Sequence, residues 1–196
     1  LLTALEHEQK KVVAGIANSI APCDESAFGE LLEHMSSRRL NNRALLFTMG
    51  EAGDREYFVT EGILRTFVNS PEGHEVTMGL YVAPCALSPS ISRNIDGISQ
   101  LSCDALVPSA VASMDSALLI ETMMQNSTMQ RWGDTVMRTE LSLRMQRELG
   151  LATHTAKQRL QQFRADFPKL EDLIPHSMIA SYLGVTPVTL SRLRNA

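Results

Sequence analysis

Cysteine is scarce and scattered in this sequence. Cys23, Cys85 and Cys103 are odd in number and far apart, which argues against a disulfide framework and fits a reducing cytoplasm. No CxxC pair occurs, so a cysteine-held metal or iron–sulfur cluster lacks a ligand set. Long apolar runs are missing too: none approaches the roughly 20 residues that span a bilayer. The N-terminal segment LLTALEHEQKKVV alternates acid and base, unlike a secretory signal. The chain begins at Leu1 rather than Met, which points to trimming. There is no GxSxG, no HExxH and no phosphate loop. The acids Glu51 and Asp54 fall in a turn-rich stretch. The expectation is a cytoplasmic protein that is not an enzyme and holds no metal or cofactor.

One kind of charge is absent from one place. The chain carries a net charge of −4, yet Ile174 to Ala196 contains no Asp or Glu. The rest of the composition, 44% hydrophobic and 20% charged, is that of an ordinary globular chain with material for a packed core.

Three textures follow one another. Residues 2 to 40 read as helices: Ala4 to Ile20 is amphipathic. Asp24 then caps a second helix carrying Phe28, Leu31, Leu32 and Met35 at helical spacing. From Arg43 to about Met114, the short runs ALLFT, EYFVT, ILRTFV, EVTMGLYV, QLSCDAL and AVASM alternate with Gly, Pro, Asn and Asp turns. That pattern predicts an antiparallel sandwich or jelly roll, with Ser70-Pro71-Glu72-Gly73 as a hairpin tip. Helix texture returns near Ser116. Asn126 to Leu149 contains no Pro, and Met129, Val136 and Leu143 recur at sevens, with Trp132 and Thr139 between them. Such a stripe serves either to pack the helix on its own sheet or to join two copies. Gly150 and Thr153 predict a break. A helix from about Thr155 to Phe167 is stopped by Pro168.

The end of the chain is more specific. Around Gly184 as a tight turn, Ile179, Ala180, Leu183, Val185, Leu190 and Leu193 take the spacings of a helix-turn-helix core. Gly184 supplies the positive φ, Thr186 caps the second helix and Pro187 fits its first turn. Thr186, Val188, Thr189, Ser191, Arg192, Arg194 and Asn195 are then the candidate DNA-binding residues, since hydroxyl, amide and guanidinium groups reach base edges or phosphates. A carboxylate there would meet the phosphate backbone, which gives the missing acids an electrostatic reason.

The whole pattern resembles a Crp/Fnr-type transcription regulator. The segment FPKLEDLIPHSMIASYLGVTPVTLSRLR is similar to the closing signature of a branch common in Bacteroidetes-type bacteria, and EYFVTEGILRTFV with GHEVTMGLYV resembles the family's central strands. The resemblance covers roughly residues 28 to 196. It implies an α+β fold: a cyclic-nucleotide-binding-like β-roll sensor (1–125, with N-terminal helices), a dimerisation helix (126–150) and a helix-turn-helix domain (151–196). It implies a homodimer through Met129, Trp132, Val136 and Leu143. Double-stranded DNA, RNA polymerase and an unidentified small-molecule effector are its implied partners, with no membrane. Pro187, Val188 and Arg192 match the family's base-reading positions.

The chain also departs from the family. Cyclic-AMP binders carry Gly-Glu-Leu on a short helix and then an Arg, which hold ribose and phosphate. Here the region is APCALSPSISRNIDGISQLSCDALVPS, without Gly-Glu-Leu. The clamp position falls near Gln100 or Leu101, and Arg93 is expected in the loop before Asp96-Gly97. The expectation is no cyclic-AMP site. His74 and Cys85 are haem ligands only in principle. Two alternatives stand beside a DNA-binding regulator: one answering to a non-nucleotide effector, and a β-roll protein-interaction module that has lost DNA binding.

Overall fold

The computed structural model describes residues 2–195. The chain opens with strand β1 (Thr3–Ala4), helix α1 (His7–Ile20) and helix α2 (Glu25–Glu33). Asp24 caps α2 as its position suggests, accepting from the Ala27 N–H. The helical reading of residues 2 to 40 needs correction at both ends. Thr3–Ala4 is extended and pairs with Ser36–Ser37, and Ser36–Leu40 is strand β2. SSRRL carries too little apolar material to announce a strand; its place between β1 and the last strand of the roll decides its state.

The roll continues with β3 (Leu45–Phe47), β4 (Arg55–Glu61), β5 (Ile63–Asn69), β6 (Glu75–Val82) and β7 (Cys85–Ala86). A one-turn helix α3 (Ser90–Arg93) and the small pair β8 (Asn94–Ile95) and β9 (Ile98–Ser99) lead to β10 (Ser102–Ala105) and β11 (Ser109–Asp115). All pairings are antiparallel. One sheet has the order β1-β2-β11-β4-β7 and the other β3-β10-β5-β6. Side-chain alternation along a strand separates the faces. Val59 and Val111 point into the roll, where they pack with Leu64, Leu46, Phe47 and Leu87. Their neighbours Phe58 and Ala112 point outward, onto α1 and α2. The expected hairpin tip closes with the Gly73 N–H bonded to the Ser70 carbonyl and Gly73 at φ +83°.

Asp115 caps helix α4 (Ser116–Gln125). Asn126 then caps the long helix α5 (Ser127–Thr153) by accepting from the Thr128 and Met129 N–H groups. The break expected at Gly150 and Thr153 falls at the second of them, and the helix passes through Gly150. A single glycine inside a helix costs only about 1 kcal/mol relative to alanine, and the helix ends three residues later, at extended His154. Thr155 caps α6 (Ala156–Asp166) with a capping box to Gln158. A 3-10 turn (Leu170–Asp172) follows, then α7 (His176–Leu183) and α8 (Pro187–Arg194).

The stripe on α5 divides between two roles. Met129 and Trp132 are buried within the chain itself, which leaves little of either side chain for a seam between subunits. Trp132 lies against Phe28, with ring centroids 6.0 Å apart, and its indole N–H donates to the Ala17 carbonyl at 3.0 Å. Val136 packs on the edge of the same cluster. Leu143 continues this side of the helix past the end of α1 and α2 and is exposed. The period of seven is real, but its first two turns serve the chain's own core.

Trp132→Ala should therefore cost about 3–5 kcal/mol of stability, measured by denaturant unfolding, with the subunit stoichiometry of the remaining folded protein unchanged. A loss of oligomeric state without a loss of stability would return Trp132 to a subunit interface.

Candidate functional site

The helix-turn-helix forms around the residues that the spacing marks. Ile179, Ala180, Leu183 and Leu190 are buried, with Val185 and Leu193 packed at their edge. Gly184 sits at φ +65° and accepts no larger residue easily: a Cβ there would stand 3.1 Å from a Leu151 methyl. Thr186 caps α8, its hydroxyl accepting from the Thr189 N–H at 3.2 Å, and Pro187 occupies the first turn.

The seven candidate DNA-binding side chains do not stand alike. Val188, Ser191, Arg192 and Asn195 are exposed and share the outward side of α8. Arg192 makes no ion pair among the described residues. The Thr186 and Thr189 hydroxyls bond each other at 2.9 Å, so they serve the cap first. Arg194 is turned back into the protein. Its Nε lies 2.7 Å from the Glu171 carboxylate and its Nη1 lies 3.0 Å from His176 Nδ1. Glu171 also takes a two-pronged bond from Arg164, at 2.6 and 3.0 Å. Arg194 therefore anchors the end of α8 rather than offering a free charge. An acid-free stretch in sequence is not an acid-free neighbourhood: Glu171 precedes the stretch by three residues and returns through the 3-10 turn.

The helix-turn-helix is seated on the outer face of the four-stranded sheet. Ile63, Leu80 and Leu106 from the sheet pack with Phe163, Met178, Ile179 and Leu183. The Ser181 hydroxyl accepts from the Thr77 N–H of edge strand β6 at 2.9 Å, filling a backbone site that a neighbouring strand would otherwise take. Arg147 of α5 donates to the carbonyls of both Thr77 and Tyr182, and its guanidinium lies 4.0 Å from the Tyr182 ring centre. Under this contact Arg65 is buried, bridging Asp104 at 2.9 Å and Glu75 at 2.7 Å. Arg147, Ser181 and Glu171 escape a sequence reading because their partners are distant in the chain.

Arg93 lies inside the roll, not in a loop. It ends α3 and is almost wholly buried, which corrects its placement in a loop. Its guanidinium donates to the carbonyls of Ser88 and Arg55 at 2.6 and 2.7 Å and stacks toward the Phe47 and Tyr57 rings. Burial pulls its pKa down, while the Glu56 carboxylate 3.9 Å away opposes that shift. Glu56 in turn accepts from the Ser90 N–H at the start of α3, and from the hydroxyls of Ser90 and Ser116. The chain thus places its own carboxylate at the first turn of α3 and its own guanidinium between the sheets. Gln100 is exposed and Leu101 half-buried; neither supplies a cation.

The thiols are quiet. Burial pushes Cys85 up to about 12 and also raises Cys103. Cys23 is raised, first by burial. Among the described residues no three His, Cys, Asp or Glu side chains gather into a metal-binding group, and His74 is exposed in the β5–β6 hairpin. Among the described residues no helix is long and apolar enough to cross a membrane.

The Arg164 hydrogen bond, ahead of other causes, holds the Glu171 carboxyl below its usual range. A depressed folded-state pKa adds stability above the ordinary carboxylate pKa, and that stability is lost as pH falls through the folded value. Glu171→Gln should therefore lower the melting temperature near neutral pH. Relative to wild type the deficit should shrink below about pH 4, as followed by thermal unfolding across the pH range. A deficit independent of pH would show that the ion pairs contribute nothing.

No family model matches the chain, and no curated protein matches it. Solved structures do. FixK2 from Bradyrhizobium japonicum superposes with a TM-score of 0.71 at 17% identity, over 82% of this chain and 83% of that one. A crp/fnr-family transcriptional regulator from Eubacterium rectale gives 0.68 at 17%, over 88% and 82%. CLP of Xanthomonas campestris, described as a c-di-GMP-responsive global regulator, gives 0.67 at 14%, over 88% and 90%. The superpositions extend over most of each chain, and the protein has the fold of the Crp/Fnr regulators.

Proposed function

We propose that the protein is a homodimeric, DNA-binding transcription regulator that reads a palindromic operator through α8. The observation that carries the reading is the outward side of α8. It presents a methyl-bearing residue, a hydroxyl, an unpaired guanidinium and an amide, with no carboxylate among them. Two of the structural relatives are regulators by their descriptions, which supports the same class for this chain. Val188 offers methyls where a Glu would accept from a cytosine amino group, so the facing base pair should favour T over C. Arg192 is positioned to reach guanine or a phosphate. Thr186, Thr189 and Arg194 act by holding α8, and Thr186 retains a lone pair for phosphate contact. Half-sites about one helical turn apart, roughly 34 Å, follow from a two-fold dimer.

The dimer needs a seam that the protomer's own core does not use. Leu141, Met145 and Leu149 are exposed on α5 at intervals of four, which aligns them on one side of a helix. This stripe, rather than Met129 and Trp132, is the proposed contact between α5 and its counterpart. The working division is a roll with its flanking helices, α5 as the shared connector, and a DNA-reading unit from Thr155 onward. Cyclic AMP is not the effector of this regulator: the interior position is held by Arg93, and the first turn of α3 by Glu56.

Two experiments test the reading. Arg192→Ala should weaken binding to a selected operator by about 1–3 kcal/mol, with relaxed choice at one base position if it reads guanine. Binding by the wild type should fall steeply with salt. Site selection that returns no sequence, or affinity indifferent to salt, would favour the protein-interaction alternative. Separately, Met145→Glu should convert a dimer to a folded monomer in sedimentation velocity runs; a persistent dimer would move the seam elsewhere.

A further inference from the structure

A second pair of guanidinium groups lies in the roll, apart from Arg93. Arg38 on β2 and Arg55 on β4 flank the central strand β11 and line a cleft of about 380 Å³ together with Leu46, Tyr57, Val111 and Ser113. The size is that of a small-molecule site. The pair meets no acid and, unlike Arg147 and Arg159, which are also held by neutral carbonyls, it lines a cleft. Arg65, Arg93, Arg144, Arg164 and Arg194 all lie near carboxylates. Among the described residues, Arg38 and Arg55 meet only neutral acceptors. Arg38 donates to the carbonyls of Leu45 and Leu46 at 3.1 and 3.2 Å. Arg55 donates to the Ser113 carbonyl and to the hydroxyls of Ser113 and Ser36 at 3.0–3.3 Å.

These bonds fix both side chains without neutralising them. They leave donors over: Arg55 Nη1 and Arg38 Nε have no partner among the described residues, and neither is a buried orphan, so both open to solvent. The Tyr57 ring is held from behind by Phe47, with centroids 5.6 Å apart. Two half-buried cations beside an apolar wall repel each other, and an anion between them would relieve that repulsion. A guanidinium fork matches a carboxylate in shape as well as charge. The Leu46, Val111 and Tyr57 surfaces suit a compact apolar body attached to it.

We propose that this cleft binds a small organic carboxylate, its head held by Arg38 and Arg55 and its apolar body resting on Leu46, Val111 and Tyr57. That the ligand is an effector rests on the proposed regulator; that it binds does not. The site touches the filled interior, because the Arg55 carbonyl accepts from Arg93 and the Arg93 guanidinium lies 5.4 Å from the Tyr57 ring centre. An occupant would therefore bear on residues shared by both.

The test uses the full chain without DNA, so its outcome is independent of operator binding. Benzoate, its neutral counterpart benzyl alcohol, and inorganic phosphate are titrated while the arginine side-chain Nε resonances are followed by nitrogen-15 NMR. The expected result is saturable movement of the Arg38 and Arg55 signals with benzoate, weaker binding of phosphate and none of benzyl alcohol. Arg38→Gln and Arg55→Gln should each weaken benzoate about tenfold or more. Arg55→Lys, which keeps the charge and protects the fold, should weaken it less. Benzyl alcohol matching benzoate, phosphate matching benzoate, movement at Arg192 in place of this pair, or affinity unchanged in Arg55→Lys and the Gln variants would each overturn the proposal.

Discussion

The position of α5 depends on the burial of Trp132. This one side chain fills the junction of α1, α2 and the outer face of the five-stranded sheet, and its N–H is tied to the Ala17 carbonyl. With its first turns fixed there, the helix has one available direction, and Arg147 is carried to the place where β6 meets α7. A polar tie at one end and an apolar socket at the other make α5 a rigid strut between the roll and the helix-turn-helix. One side of its later turns, carrying Leu141, Met145 and Leu149, is left exposed.

The second constraint is the edge of the four-stranded sheet. Strand β6 ends that sheet, and an open edge needs cover. Ser181 supplies an acceptor for the Thr77 N–H, while Ile179 and Met178 cover the neighbouring apolar surface. The contact is mixed in character, because the buried Arg65–Asp104 pair lies in the same sheet. A wholly apolar face would bind the helices more strongly and with less dependence on register; the polar groups specify where α7 sits. The orientation of α8 follows from α7 through the turn at Gly184.

The interior of the roll is occupied by charged groups of the chain itself. Arg93 and Glu56 bring a cation and an anion from the chain itself and satisfy them with main-chain carbonyls, serine hydroxyls and one backbone N–H. Such a network resists replacement, since removing either partner leaves a buried charge uncompensated. Arg38 and Arg55 are different in kind: held by neutral groups, they keep their charge on offer at the surface of a cleft.

Much of the fold was legible because it rests on local rules. Strand runs from Leu45 to Met114, the caps at Asp24 and Thr186, and the whole core of α7 and α8 follow from alternation, capping chemistry and the positive φ at Gly184. Neighbouring residues set all of these. Where the reading failed, distant residues decided. Ser36–Leu40 is a strand because β11 lies beside it. Met129 and Trp132 face α1 and α2 because a period of seven gives a direction but names no partner. The same limit applies to charge. The sequence by itself determined that α8 carries no acid of its own, and only the tertiary structure decided that Glu171 reaches Arg194 and leaves Arg192 alone, because electrostatic contact is set by distance in space and not by separation along the chain.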